Sequence, residues 1–223
     1  MFKVVYKNVI IDVLENPVYC KSLKSGSVIR TEKTSANCVL SSDGSQVYHL
    51  RGTPKAKESY KTVMVFPFAE GEKEEANLSE IKKRKIAEMS AESEKTIHAG
   101  TDITLSDGNT YHFSFSDQDQ FQIGFLATGA RTAQMMETMG YLTYETGKDY
   151  PWHADGGDCI FYSRFDMITI GTVMQNYITY HNSYFHAVRN YIDALTNPLT
   201  VIDLYYGAEV PQEYWGEVFN HVV

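Results

Sequence analysis

The chain has 223 residues, a formal net charge of −8 and a pI of about 5.4. That acidity opposes non-specific binding to nucleic-acid phosphates or anionic membranes, both of which rest on summed positive charge. A composition that is 43% hydrophobic and 22% charged excludes a disordered chain and leaves room for one large domain or two small ones.

The first two runs, Phe2–Tyr6 and Val9–Leu14, are β-branched and flank Lys7-Asn8, which predicts a short hairpin. Glu15-Asn16-Pro17 ends it. Val18–Leu23 reads as a helical turn or a connector, and Val28–Arg30 as another strand. Asp43-Gly44 before Val47–Leu50 is a hairpin signal, because Asp-Gly tolerates the positive φ angles of a tight reversal. Residues 1–52 therefore form a small β-rich module, marginal alone and in need of neighbours. Residues 53–76 read as a linker with one strand between Tyr60 and Phe68. Phe66 and Phe68, beside Pro67, are candidate contacts for another chain, or they pin the linker onto its own domain.

Residues 77–223 read as a second, α+β domain. Asn77 or Ser79 caps a helix over 78–95 with Leu78, Ile81 and Met89 on a narrow apolar stripe. Asp107-Gly108 opens a second hairpin, in which Tyr111, Phe113 and Phe115 alternate with His112 and Ser114. Asp117 caps a helical region over 121–139, broken or bent near Gly129 and stopped by Gly140. A third hairpin, over 141–163, turns at Asp155-Gly156. The strongest periodicity follows: Ile170, Met174, Tyr177, His181, Phe185, Val188, Ile192 and Leu195 predict a helix of about seven turns after a cap at Asp166. Asn197-Pro198 stops it. Short helices over 201–206 and after Pro211 complete the chain. The predicted order is helix–hairpin–helix–hairpin–long helix, packed most economically as an antiparallel sheet with helices on one face.

Chemistry is sparse. Neither GxxxxGK[ST] nor GxGxxG nor GxSxG occurs. His181 and His186 lie five apart, about 140° around a helix, and cannot share a metal. The densest polar cluster is His153, Asp155 and Asp158 at the third turn, able in principle to bind a cation or move a proton, although Gly156 and Gly157 speak first for a turn. Cys20, Cys38 and Cys159 make no CxxC pair, which suits a reduced compartment. Lys3 and Lys7 interrupt any signal-peptide core, and no run reaches the ~18 apolar residues of a membrane span. The basic run Lys82–Lys85 sits among glutamates and reads as a solvated helix face. The expectation is a protein that is not an enzyme and that uses no cofactor or metal.

The opening MFKVVYKNVIIDVL, closing with SSDGSQVYHLRG, resembles the amino-terminal module of proteins from tailed phages and prophages of gut Firmicutes. The stretch from RKIAEMSAESEKTIHAGTDITLSDG to ITYHNSYFHAVRNYIDAL resembles a domain of unknown function in phage tail-fibre and tail-assembly proteins. Together the two cover most of residues 1–52 and 84–196, mainly at turn, cap and core positions. No catalytic residues come with the resemblance. It implies a tail structural protein of the baseplate or fibre-attachment region, made in the host cytoplasm and carried in the virion. Its partners would be other tail or fibre proteins in a symmetric assembly of several copies, without nucleic acid or membrane insertion. The alternatives are a tail-fibre assembly chaperone or a hydrolase built on His153, Asp155 and Asp158. Tyr205, Tyr206, Tyr214 and Trp215, near the carboxy terminus, are candidate interface anchors, or they cap the sheet as core aromatics.

Overall fold

The computed structural model describes residues 1–23, 25, 27–53, 62–69, 78–143 and 148–222. The chain is a mixed α/β protein that divides into two compact units. One comprises Met1–Lys85 with Ile192–Leu204, the other Ile86–Tyr191 with Tyr205–Val223.

The first unit is a seven-stranded sheet. Its strands are β1 (Phe2–Tyr6), β2 (Val9–Leu14), β3 (Tyr19–Ser22), β4 (Val28–Arg30), β5 (Cys38–Leu40), β6 (Val47–Leu50) and β7 (Thr62–Pro67), in the spatial order β2-β1-β7-β6-β5-β3-β4. The β1–β2 turn holds Lys7 and Asn8 at φ 46° and 63°, the double left-handed geometry of a tight hairpin. Residues 18–23, expected as a helical turn or connector, instead contribute β3. Four residues are too few to display a period, and the physical cue is only that Cys20 is buried opposite buried Cys38 while Lys21 points out. The strand expected between Tyr60 and Phe68 is β7, and it lies in the interior of the sheet. It pairs antiparallel with β1 and parallel with β6. Asp12 on β2 accepts from the Tyr48 hydroxyl on β6 at 3.1 Å. Those strands stand three apart in the order, about 14 Å across a flat sheet, so the sheet is strongly curled. Burial, with the charge of Asp12 added, pushes the Tyr48 phenol well above its usual range. Helix α4 (Pro198–Asp203), capped by Asn197, belongs to this unit, and its Asp203 receives Tyr6 and Lys7 at 2.7 and 3.0 Å.

The second unit is built mainly from helices. Helix α1 (Leu78–Ala99), whose residues from Ile86 on belong to this unit, leads into the hairpin β8 (Thr101–Thr104) and β9 (Thr110–Phe113). Helix α2 (Asp117–Thr138), the hairpin β10 (Lys148–Trp152) and β11 (Ile160–Ser163), the 31-residue α3 (Arg164–Ala194) and the short α5 (Glu217–Val222) follow. The expected single antiparallel sheet is absent among the described residues. Each hairpin is its own two-stranded sheet, and the Asp155 amide donates to the His112 carbonyl between them. Gly100 makes the α1–β8 corner at φ 78°, where a Cβ would come within 1.8 Å of the Phe113 carbonyl.

Helix α2 is continuous through Gly129, where a break or bend was expected. Its cap is Ser116 rather than Asp117, in a reciprocal box with Asp119. Gly140 ends it, with Tyr141 and Gly140 amides closing on the Met136 and Glu137 carbonyls. The core gathers Phe113 and Phe115, Ile123 and Ala130 of α2, Trp152 and Tyr162 of the third hairpin, and Met167, Ile170 and Met174 of α3.

Candidate functional site

Helix α2 carries two unlike faces. Ile123, Ala127 and Ala130 are buried, and they are small enough for α3 to approach closely. At Gly171 of α3 an added Cβ would come within 2.3 Å of the Ala127 Cβ, so the helices meet almost backbone to backbone. The opposite face is large and apolar. Phe121 and Phe125 are 76% and 73% exposed, with Met135 and Met139 at 52% and 60%. These four positions lie within roughly 40° of one line along the helix, since each residue turns it by about 100°. Beside Phe121 and Phe125 opens a groove of about 670 Å³ between α2 and α3, lined also by Arg131, Met174, Gln175 and Ile178. Arg131 donates to the Thr172 hydroxyl at 2.7 Å, and Glu137 pairs with Arg164, so the charges near this surface are engaged within the unit. A further exposed apolar set is Ile160 and Phe161 on β11 and Phe165 at the start of α3.

The start of α3 is pinned by Asp166. Its carboxylate accepts from the Ser106 amide and hydroxyl at 2.9 and 3.0 Å and from the Ser163 hydroxyl at 2.6 Å. Burial by itself raises its pKa, but the Ser163 and Ser106 donors outweigh it and hold the carboxyl below its ordinary value.

The third turn does not assemble the expected polar cluster. His153 stacks on Trp152 at 5.2 Å, and Asp155 turns to Ser114, accepting from its amide and hydroxyl at 3.2 and 3.0 Å. The histidine nearest Asp155 is His112, at 3.9 Å. Its Nδ1 meets Asp102 at 2.6 Å and its Nε2 the Ala99 carbonyl at 2.8 Å, so both nitrogens face acceptors and the imidazolium is favoured. The Asp102 bond is the main reason its pKa is raised. With neither ring nitrogen free to reach a hydroxyl, the geometry suits a brace and not a general base. Among the described residues no group of three His, Cys, Asp or Glu side chains can hold a metal ion, and no helix is long and apolar enough to cross a membrane.

The aromatics singled out in the sequence take different places. Tyr206 is half-buried, with its hydroxyl 2.9 Å from His181 Nδ1 and its ring edge-on to Tyr184. Burial lowers the His181 pKa and pushes the Tyr184 phenol up to about 12. Tyr214 packs on Tyr191, and Trp215 packs on Phe219 while donating to the Val210 carbonyl at 2.8 Å. Tyr205 is 66% exposed. At the end of β7, Phe66 is exposed, while Phe68 is half-buried beneath the Lys3 ammonium at 5.8 Å. The α2 row was not singled out in the sequence. Its signal was present, in Phe121, Phe125, Met135 and Met139 spaced at helical multiples, but Ile123 and Leu126 opposite blurred the period.

No family model matches the chain, and no curated protein or solved structure shows significant similarity to it.

Proposed function

We propose that this chain is a structural component of a phage tail, in the baseplate or fibre-attachment region, working through protein–protein contacts and not through catalysis. The observation that carries the contact reading is the outward row of Phe121, Phe125, Met135 and Met139 on α2. A single exposed apolar side chain is ordinary, whereas four large ones aligned on one helix face mark an interaction surface. The assignment to a tail rests on the resemblance of residues 1–52 and 84–196 to phage tail proteins. On this reading the helix–hairpin–helix–hairpin–long helix module presents the contact surface, and Tyr205 and Phe66 are secondary contacts. The chain is made in the host cytoplasm and retained in the particle.

The test is mass spectrometry of purified particles from a host expressing the intact gene cluster. Recovery of this chain at a fixed stoichiometry to the major tail proteins supports the reading. Consistent absence from particles, with the chain bound to fibre protein in the lysate, overturns it in favour of an assembly chaperone.

A further inference from the structure

From the two faces of α2 we infer that its outer row is a self-association surface, on which a second copy of this chain docks with the two α2 helices antiparallel. The inference rests on the reading of this unit as a contact module and names its first partner.

The area comes first. Phe121, Phe125, Met135, Met136 and Met139 are 76%, 73%, 52%, 37% and 60% exposed. At roughly 200 Å² for a large side chain, they present on the order of 600 Å² of apolar surface. A stable interface needs about 800 Å² from each partner, about two-thirds of it apolar in homodimers, or roughly 500 Å². The row therefore supplies what one half of a two-fold interface requires, without help from other elements.

The order of side chains along the row then selects the partner. The rings stand at the amino-terminal end of α2, the thioethers at the carboxy-terminal end, and Thr128 and Thr132 between them. Turned end for end, a second α2 sets Phe121 opposite Met139, Phe125 opposite Met135 and Thr128 opposite Thr132. Each ring meets a flexible, polarizable sulfur side chain, a favourable contact, and the small central residues let the helices approach. A parallel arrangement would put ring on ring and thioether on thioether, and it lacks this reciprocity. Between Phe121 and Met139, positions within roughly 60° of the row's centreline carry no charge, and Arg131, about 80° off it, donates to Thr172. An isologous contact of this kind closes on itself.

The test uses the full chain with Cys159, the exposed cysteine, replaced by serine. Into it go Phe125→Cys and Met135→Cys, singly and together. These positions lie about 15 Å apart along one helix and cannot bridge within a chain. Antiparallel docking predicts disulfide-linked dimers under mild oxidation for the double variant, and for the two single variants mixed with each other, with little product from either alone. Sedimentation velocity of the unmodified chain is expected to show a concentration-dependent dimer. Phe121→Glu with Phe125→Glu weakens that dimer on the order of a hundredfold or more. Both side chains are exposed, so the circular dichroism spectrum stays unchanged, and the thermal midpoint matches that of the parent chain at concentrations where the parent is monomeric, which excludes misfolding as the cause.

Efficient cross-linking of Phe125→Cys with itself would overturn the antiparallel register. A monomer at all micromolar concentrations, or a dimer indifferent to the two glutamates, would overturn the self-association. Either failure leaves the particle-composition test standing: the first changes only the register between two copies, and after the second the row would serve a different tail protein.

Discussion

Helices α2 and α3 lie side by side and use their large side chains in opposite ways. Helix α3 turns Met167, Ile170, Met174 and Val188 inward and leaves Thr172, Gln175 and Asn176 outside, the pattern of a helix whose work is the core. Helix α2 turns Ile123, Ala127 and Ala130 inward and leaves Phe121, Phe125, Met135 and Met139 outside. Burying a side chain of that size is worth about 1.5–3 kcal/mol, and α2 forgoes it at four positions in the single chain. The contrast separates two kinds of apolar periodicity, one serving the fold and one awaiting a neighbour.

Filling the crossing where the helices meet is expected to have the largest effect. In Gly171→Leu the new side chain must occupy the space of the Ala127 methyl, since even its Cβ would arrive at 2.3 Å. Overpacking of this kind costs about 3 kcal/mol at a contact that cannot give. Chemical denaturation is expected to show a loss of that size. A change below about 0.5 kcal/mol would mean that α2 and α3 slide freely and that the small inner face of α2 has no packing role.

Next in size is the pin at the start of α3. Asp166→Ala removes a buried carboxylate that accepts charge-assisted hydrogen bonds from Ser106 and Ser163, for an expected cost of about 2 kcal/mol. The sign with pH follows from the lowered carboxyl. Its stabilisation is present above the unfolded value of 3.8 and is lost as pH falls through the lower folded value. Acid unfolding of the parent chain is expected to steepen below about pH 4, and Asp166→Ala to lose that part of the slope.

How much of this was legible follows from the same contrast. The long helix could be read directly, because its apolar residues share one side and its period survives over seven turns. The turns at Asp43-Gly44, Asp107-Gly108 and Asp155-Gly156 were equally plain, because all three glycines sit at positive φ, between 72° and 80°. Strand β3 was hidden by its four-residue length. The interior place of β7 was hidden because its partners β1 and β6 are chosen by long-range pairing, which leaves no local mark. The α2 row was hidden by its own function, since apolar residues on both faces flatten the period that sequence reading depends on. The polar braces, Asp166 with Ser106 and His112 with Asp102, join residues brought together by turns and helix starts, and no spacing rule announces them.

A milder change on α2 acts in the opposite direction. At Gly129, in the middle of α2, an added Cβ meets nothing within 4 Å, whereas at Gly171 it collides. Gly129→Ala is expected to gain up to about 1 kcal/mol from helix propensity alone. A thermal midpoint that rises in Gly129→Ala and collapses in Gly171→Leu would map the free and the committed sides of the pair with two glycines. A loss at Gly129 would instead place a neighbour against that side of α2.

The smallest expected effect belongs to His112, outside both helices on the hairpin that hands Ser106 to α3. Its ring joins Asp102 to the carboxy-terminal carbonyl of α1, and its raised pKa gives a titration opposite in sign to that of Asp166. The brace is fully present below the unfolded value of 6.5 and is lost as pH rises through the higher folded value. Because the ring is largely exposed, solvent screens the pair, and the change amounts to a few tenths of a kcal/mol. His112→Gln retains a donor without the titration. It is expected to flatten the decline in thermal midpoint on the alkaline side of 6.5 and to leave the acid limb, set by carboxylates such as Asp166, where it was. If both limbs moved together, the hairpin and the start of α3 would be titrating as one electrostatic unit, and the separation drawn between the brace and the pin would fail.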